Sequence, residues 1–254
     1  MSGLFTAGTA VLGAGVGLGC GWLAVYLERV EGLEEEEAEE RSAAEEAHRL
    51  EGERASAAGE PDPEPLLWKP ERYGWTWLER VAAPALGALG FGCFAAHEGA
   101  VRTLPIHLLW IAVFVHVTVF DVKHRLILDR ITYPAVPLAL VLAPVSPGLS
   151  IWTALAGALA VCAFFAVQSI LLGGTVLGLG DAKLGALVGA TTGLGADLDH
   201  LGALDAVIAA VLAAGVTALL LLVLRVRGLR DPIPYGPFLC AGAALVIYHG
   251  PAGP

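Results

Sequence analysis

The sequence predicts an all-α membrane protein: about eight transmembrane helices and one acidic cytoplasmic loop. Three observations carry this. The chain is 56% hydrophobic over 254 residues, with a mean hydropathy of +0.68; soluble domains hold roughly 45–50% apolar residues with glycine counted. The apolar residues form continuous runs approaching the ~20 residues that span a bilayer, not the alternation of a transmembrane barrel. Charge is segregated: residues 28–80 hold 17 acidic and seven basic residues, net −10, and the rest of the chain is neutral.

The elements follow in order. Apolar runs near 4–26, 81–98, 103–120, 131–145, 151–173, 179–195, 203–224 and 235–249 are the expected spans. They divide the chain into a first helix (1–27), an acidic helix and linker (28–80) and a membrane domain (81–254). The first run lacks a basic leader and is long, so it reads as a span and not a cleaved signal. Within it, "GAGVGLGCG" has no following lysine and reads as close helix packing. "LEEEEAEERSAAEEAHRL" is helical by its Glu37–Arg41 and Glu45–Arg49 spacing and is expected to continue span one. "ASAAGEPDPEP" is a linker, and "WKPERYGWTW" an interfacial aromatic anchor.

Orientation follows lysine and arginine in short loops. Outside 28–80, Lys123, Arg125, Arg130, Lys183, Arg225, Arg227 and Arg230 fall on one side and Arg102 on the other. This puts both termini outside and residues 28–80 in the cytoplasm. Cys20, Cys93, Cys162 and Cys240 are isolated in apolar runs, so no zinc site is expected. His107, His116 and His249 read as hydrogen-bonded structural residues, and His124 as interfacial. Nothing indicates nucleic-acid binding; the expected surroundings are membrane lipid.

Seven aspartates lie outside the acidic segment. Asp197, Asp199 and Asp205 belong to an external loop, Asp231 to a turn, and Asp129 to a helix cap before "RITYP". Asp121 and Asp181 differ. One ends span three and the other opens span six, so the topology sets both at the cytoplasmic edge of the membrane. An ionisable residue at that depth is a functional candidate. Two nearby carboxylates cannot both ionise easily, so one keeps its proton while the other acts as a base toward water. Gly178 and Gly180 beside Asp181 permit close approach or unusual dihedrals. Gly185, Gly189 and Gly193 recur every four residues and fix span six against a neighbour. From spacing alone, a helix cap plus an ion pair with Lys123 or Lys183 explains the two aspartates equally well.

"FDVKHRLILDRIT" (120–132) followed by "GLGDAKLGALVGA" (178–190) resembles the two active-site motifs of the type IV prepilin peptidases, intramembrane aspartic proteases of the Gly-x-Gly-Asp kind. "IPYGPFLCAGA" (233–243) is similar to the family's motif on its last span, and the likeness covers about 100–250. The resemblance implies that Asp121 and Asp181 are the catalytic pair, with Gly178, Gly180 and Lys183 supporting the motif. It implies removal of the short basic leader of type IV prepilin or pseudopilin precursors at the cytoplasmic face of a bacterial inner membrane, without a cofactor. The chain departs from the family's pattern twice. Leu128 stands where the family usually has proline. Residues 28–80 contain no cysteine, whereas bifunctional members carry two zinc-binding Cys-x-x-Cys pairs there. Zinc and methylation of the new amino terminus with S-adenosylmethionine are therefore not expected. Two other readings are an ion- or proton-coupled transporter, for which no inverted repeat is visible, and a non-catalytic assembly protein, against which the intact aspartates argue.

Overall fold

A computed structural model describes residues 2–58, 74–171, 178–195, 201–225 and 233–250. Among them there is no strand. The helices are α1 (Ser2–Val30), α2 (Leu33–Ala58), α3 (Ala83–Glu98, preceded by a π turn at Leu78–Ala82), α4 (Leu104–His124), α5 (Asp129–Leu142), α6 (Ile151–Leu171), α7 (Leu179–Thr192), α8 (Gly202–Val223) and α9 (Gly236–His249).

Every expected span appears as an apolar helix, and among the described residues five of these are long and apolar enough to cross a membrane: α1, α3 with its π turn, α4, α6 and α8. The others, α5, α7 and α9, have 14 residues each. At 1.5 Å per residue they reach about 21 Å, short of the ~30 Å hydrocarbon core. Their expected runs, near 131–145, 179–195 and 235–249, are themselves only 15 to 17 residues long.

Buried helix α4 is the centre, and Trp110, Ile111, Phe114, Val117 and Val119 sit in the main core. Around it, small residues let helices approach backbone to backbone. A methyl group at Gly13 would strike Gly87, joining α1 to α3; one at Gly189 would strike Gly157, joining α6 to α7; one at Gly242 would strike Ala206, joining α8 to α9. In lipid, such packing replaces the hydrophobic drive between helices. The glycine pattern of the first and sixth spans thus finds its partners.

The acidic helix is not a continuation of α1. Gly32 adopts φ +69°, a left-handed turn that suits glycine, and separates α2 from α1. On α2, Arg49 lies 4.0 Å from Glu46 and 3.9 Å from Glu53. The Glu37–Arg41 pair, the linker, Asp197, Asp199 and Asp231 lie outside the described residues or side chains. Trp75 and Trp77 are exposed just before α3. Asp205 belongs to the first turn of α8 and not to a loop, where its charge suits the helix dipole.

Candidate active site

Four helices meet at one end of the bundle. There α4 finishes, and α5, α7 and α9 begin. The short non-helical segments between them enclose a pocket of about 560 Å³. Asp121, from the last turn of α4, and Asp181, from the first turn of α7, both line it. The chain reaches this arrangement through local rules. Arg125 turns left-handed at φ 56° and caps α4, its N–H donating to the Asp121 carbonyl at 2.8 Å. A left-handed non-glycine is strained, and this one stands beside the carboxylate. Arg125 also lines the pocket.

Each aspartate is held by a backbone N–H at the start of a helix. Gly178 N–H donates to Asp181 Oδ2 at 3.1 Å, within a capping arrangement at the head of α7. Gly236 N–H donates to Asp121 Oδ2 at 2.9 Å from the head of α9. Helix N-termini favour negative charge, so each N–H partly offsets the cost of holding a carboxylate away from water. Asp121 is 4% exposed. Two carboxyl groups facing one polar pocket inside apolar surroundings can share a proton and polarise a water.

Residues 108–223 match the model of the type IV leader peptidase family. This stretch belongs to that family. It contains both Asp121 and Asp181. Comparison with curated proteins and with solved structures gives no match.

Within the leader peptidase stretch, the helix-cap reading of Asp181 is correct as geometry, since its carboxylate does take a capping bond. The ion-pair reading fails for both aspartates. Lys183 donates to Asp129, at 2.6 and 2.8 Å to its two oxygens, and stands over the Tyr133 ring at 5.1 Å. Asp129 is therefore no helix cap; α5 has Leu128 at that position without a side-chain cap bond, and Asp129 ties α5 to α7 instead. Lys123 binds Glu28 and Glu79. The glycines act differently from each other. A methyl on Gly180 would press on Ile127 at 3.3 Å, whereas Gly178 has ordinary dihedrals and a methyl there would make only ordinary contacts, at 3.8 Å to the Gly180 nitrogen and 4.0 Å to Asp181 Oδ2.

Leu128 has φ −71° and ψ 126°, inside the range that proline fixes. The loop keeps the shape proline would impose.

The histidines divide. His107 Nδ1 meets Glu98 Oε1 at 2.7 Å, His116 Nδ1 meets the Cys20 carbonyl at 3.2 Å, and His249 Nδ1 meets the Leu245 carbonyl at 2.9 Å, as structural residues would. His124, at the end of α4, has its ring buried against Glu28 Oε1 at 2.9 Å.

Two features escape the sequence reading. Gly236 is a direct partner of Asp121, and the "IPYGPF" block was the available signal for it. The buried cluster of Glu28, Glu79 and Lys123 left no local signal.

Proposed function

We propose that this protein is an intramembrane aspartic endopeptidase that removes the basic leader from type IV pilin-like precursors. The observation that carries the reading is the joint lining of one pocket by Asp121 and Asp181, inside a leader peptidase family match. One carboxylate takes a proton from water and the protonated partner polarises the scissile carbonyl. Titration then belongs to the pair, giving a bell-shaped pH–rate profile. Gly178 lines the pocket and presents no side chain to obstruct an extended peptide.

The cleavage face is the cytoplasmic side of a bacterial inner membrane, with residues 28–80 on that side. The positive residues support this: Lys123, Arg125, Arg130 and Lys183 all lie at the pocket end of the helices. Peptidase action needs no cofactor, and product is released without methylation, because 28–80 has no thiolate to hold the zinc of bifunctional relatives.

The test is cleavage of a purified type IV pilin precursor in detergent micelles. Asp121→Asn and Asp181→Asn should each abolish cleavage while the thermal transition stays within a few degrees, since Asn keeps the shape and loses the proton. Asp129→Asn should reduce it only mildly, because its pair with Lys183 is exposed and worth about 0.2–1 kcal/mol. Full activity in either of the first two variants would end the assignment.

A further inference from the structure

The reaction proposed for Asp121 makes no use of a cluster of buried charges two residues along the same helix. Two residues turn an α-helix by about 200°, so Lys123 points away from the pocket that Asp121 faces. Its ammonium has three N–H donors and meets three oxygens. It donates to Glu28 Oε1 and to the Gly74 carbonyl at 2.7 Å, and lies 2.8 Å from Glu79 Oε1. These oxygens come from the last turns of α1, the segment entering α3, and the π turn. Glu28 also accepts from His124 Nε2 at 2.9 Å and from Gly74 N–H at 3.0 Å. Glu79 Oε2 accepts from the Thr76 N–H at 2.7 Å and from its hydroxyl. Glu28 and Glu79 are fully buried and Lys123 is 3% exposed.

Such a cluster is a poor means to stability, because well-packed apolar residues in the same volume commonly do as well or better. It does fix register. Sliding or rotating α4 by one residue would leave two buried carboxylates without their cation. On the opposite side of the same turn, Asp121 needs a fixed position to meet Gly236 and share a pocket with Asp181.

We propose that Lys123, held by Glu28 and Glu79, is a positioning residue that sets the end of α4 and thereby aims the Asp121 carboxylate. This rests on Asp121 being catalytic, but it has a readout that does not. The Gly236 N–H opens α9 and has no partner within its own helix; Asp121 is its acceptor. Its exchange with solvent reports where the Asp121 side chain stands.

The experiment compares wild type with the neutral triple variant Glu28→Gln, Glu79→Gln, Lys123→Met. Lys123→Met alone would strand two buried carboxylates and risks misfolding; the triple variant does not. In micelles, Gly236 amide exchange should be about tenfold faster or more, while exchange further along α9 is unchanged. Cleavage of a type IV pilin precursor should lose about 10²-fold in kcat, the cost of an ångström-scale misplacement, with KM changed far less. A purely structural role would speed exchange all along α9 or leave it unchanged, and would leave kcat of the folded fraction intact. A folded triple variant with wild-type Gly236 exchange and wild-type kcat overturns the proposal. Asp121→Asn measured alongside separates the two failures. If it is inactive while the triple variant is fully active, only the positioning role falls. If it is active, the catalytic reading falls, and the role in catalysis with it.

Discussion

Gly236 shows how little space surrounds the Asp121 carboxylate. A Cβ built there would stand 2.6 Å from Asp121 Oδ2, well inside van der Waals contact, so either the carboxylate or the head of α9 must move. Gly236→Ala should therefore cut kcat by about 10–10²-fold without lowering the thermal transition, since alanine in a helix gains about 0.5–1 kcal/mol over glycine. Wild-type kcat in this variant would remove Gly236 from the site. Leu128→Pro is the complementary case. Its backbone already has proline's φ, but its side chain packs with Ala24, Leu27 and Phe120. Cleavage should persist while stability drops by about 1 kcal/mol from the lost apolar burial; a scanning measurement together with the cleavage assay checks both. At this scale the sequence spoke through exceptions. Asp121 and Asp181 were legible because a carboxylate in an apolar run needs a reason. Glu28, Glu79 and Lys123 were not, because each borders a polar segment and reads as a solvated charge. Lys123 meets Glu28 across 95 positions of sequence, a pairing that no local pattern announces.

The helix carrying Asp181 is placed by its neighbour. Gly189 and Gly157 bring α7 and α6 into backbone contact, and Gly185 lies against Val161 and Phe165. Gly189→Val must push these helices apart, with an expected destabilisation of about 1–3 kcal/mol as in overpacked cores and a loss of cleavage larger than the unfolded fraction explains. Gly15→Ala is the control, as a Cβ there meets nothing within 4 Å; it should leave cleavage unchanged and raise stability slightly. Equal effects of the two substitutions in thermal unfolding would show that glycine contacts do not organise the bundle. The four-residue spacing of these glycines was visible in the sequence, and so was its meaning as a packing stripe. The partner was not, because a stripe states that something approaches and not what. The starts of the short helices were legible too. The structure begins α5, α7 and α9 at Asp129, Leu179 and Gly236, within two residues of the expected runs near 131, 179 and 235. These short helices are the ones that open onto the site, and apolar content alone did not say what the backbone between them encloses.

Over the whole molecule, charge is concentrated in one segment. With Glu28 and Glu79 buried on Lys123, the rest of 28–80 still carries 15 acidic and seven basic residues, net −8. Glu31, just beyond the end of α1, both pairs with Arg130 at 2.6 Å and lines the pocket, so the acidic segment starts at the rim of the site. A basic leader approaching that pocket would be drawn by the field of α2, which raises its local concentration and on-rate. Such attraction between exposed charges is screened beyond about 8–10 Å at physiological salt. Deleting residues 34–54 removes ten acidic and three basic residues and leaves Glu28, Gly74 and Glu79 in place, so the chemistry at Asp121 and Asp181 is untouched. The expected result is an unchanged kcat and a KM for pilin precursor that rises several-fold at low ionic strength. At 0.5 M salt the Debye length is about 4 Å by the same scaling, and the deleted and full-length proteins should converge. A KM penalty of equal size at both salt concentrations would assign α2 a steric or packing role, and a fall in kcat would place part of it in the site itself.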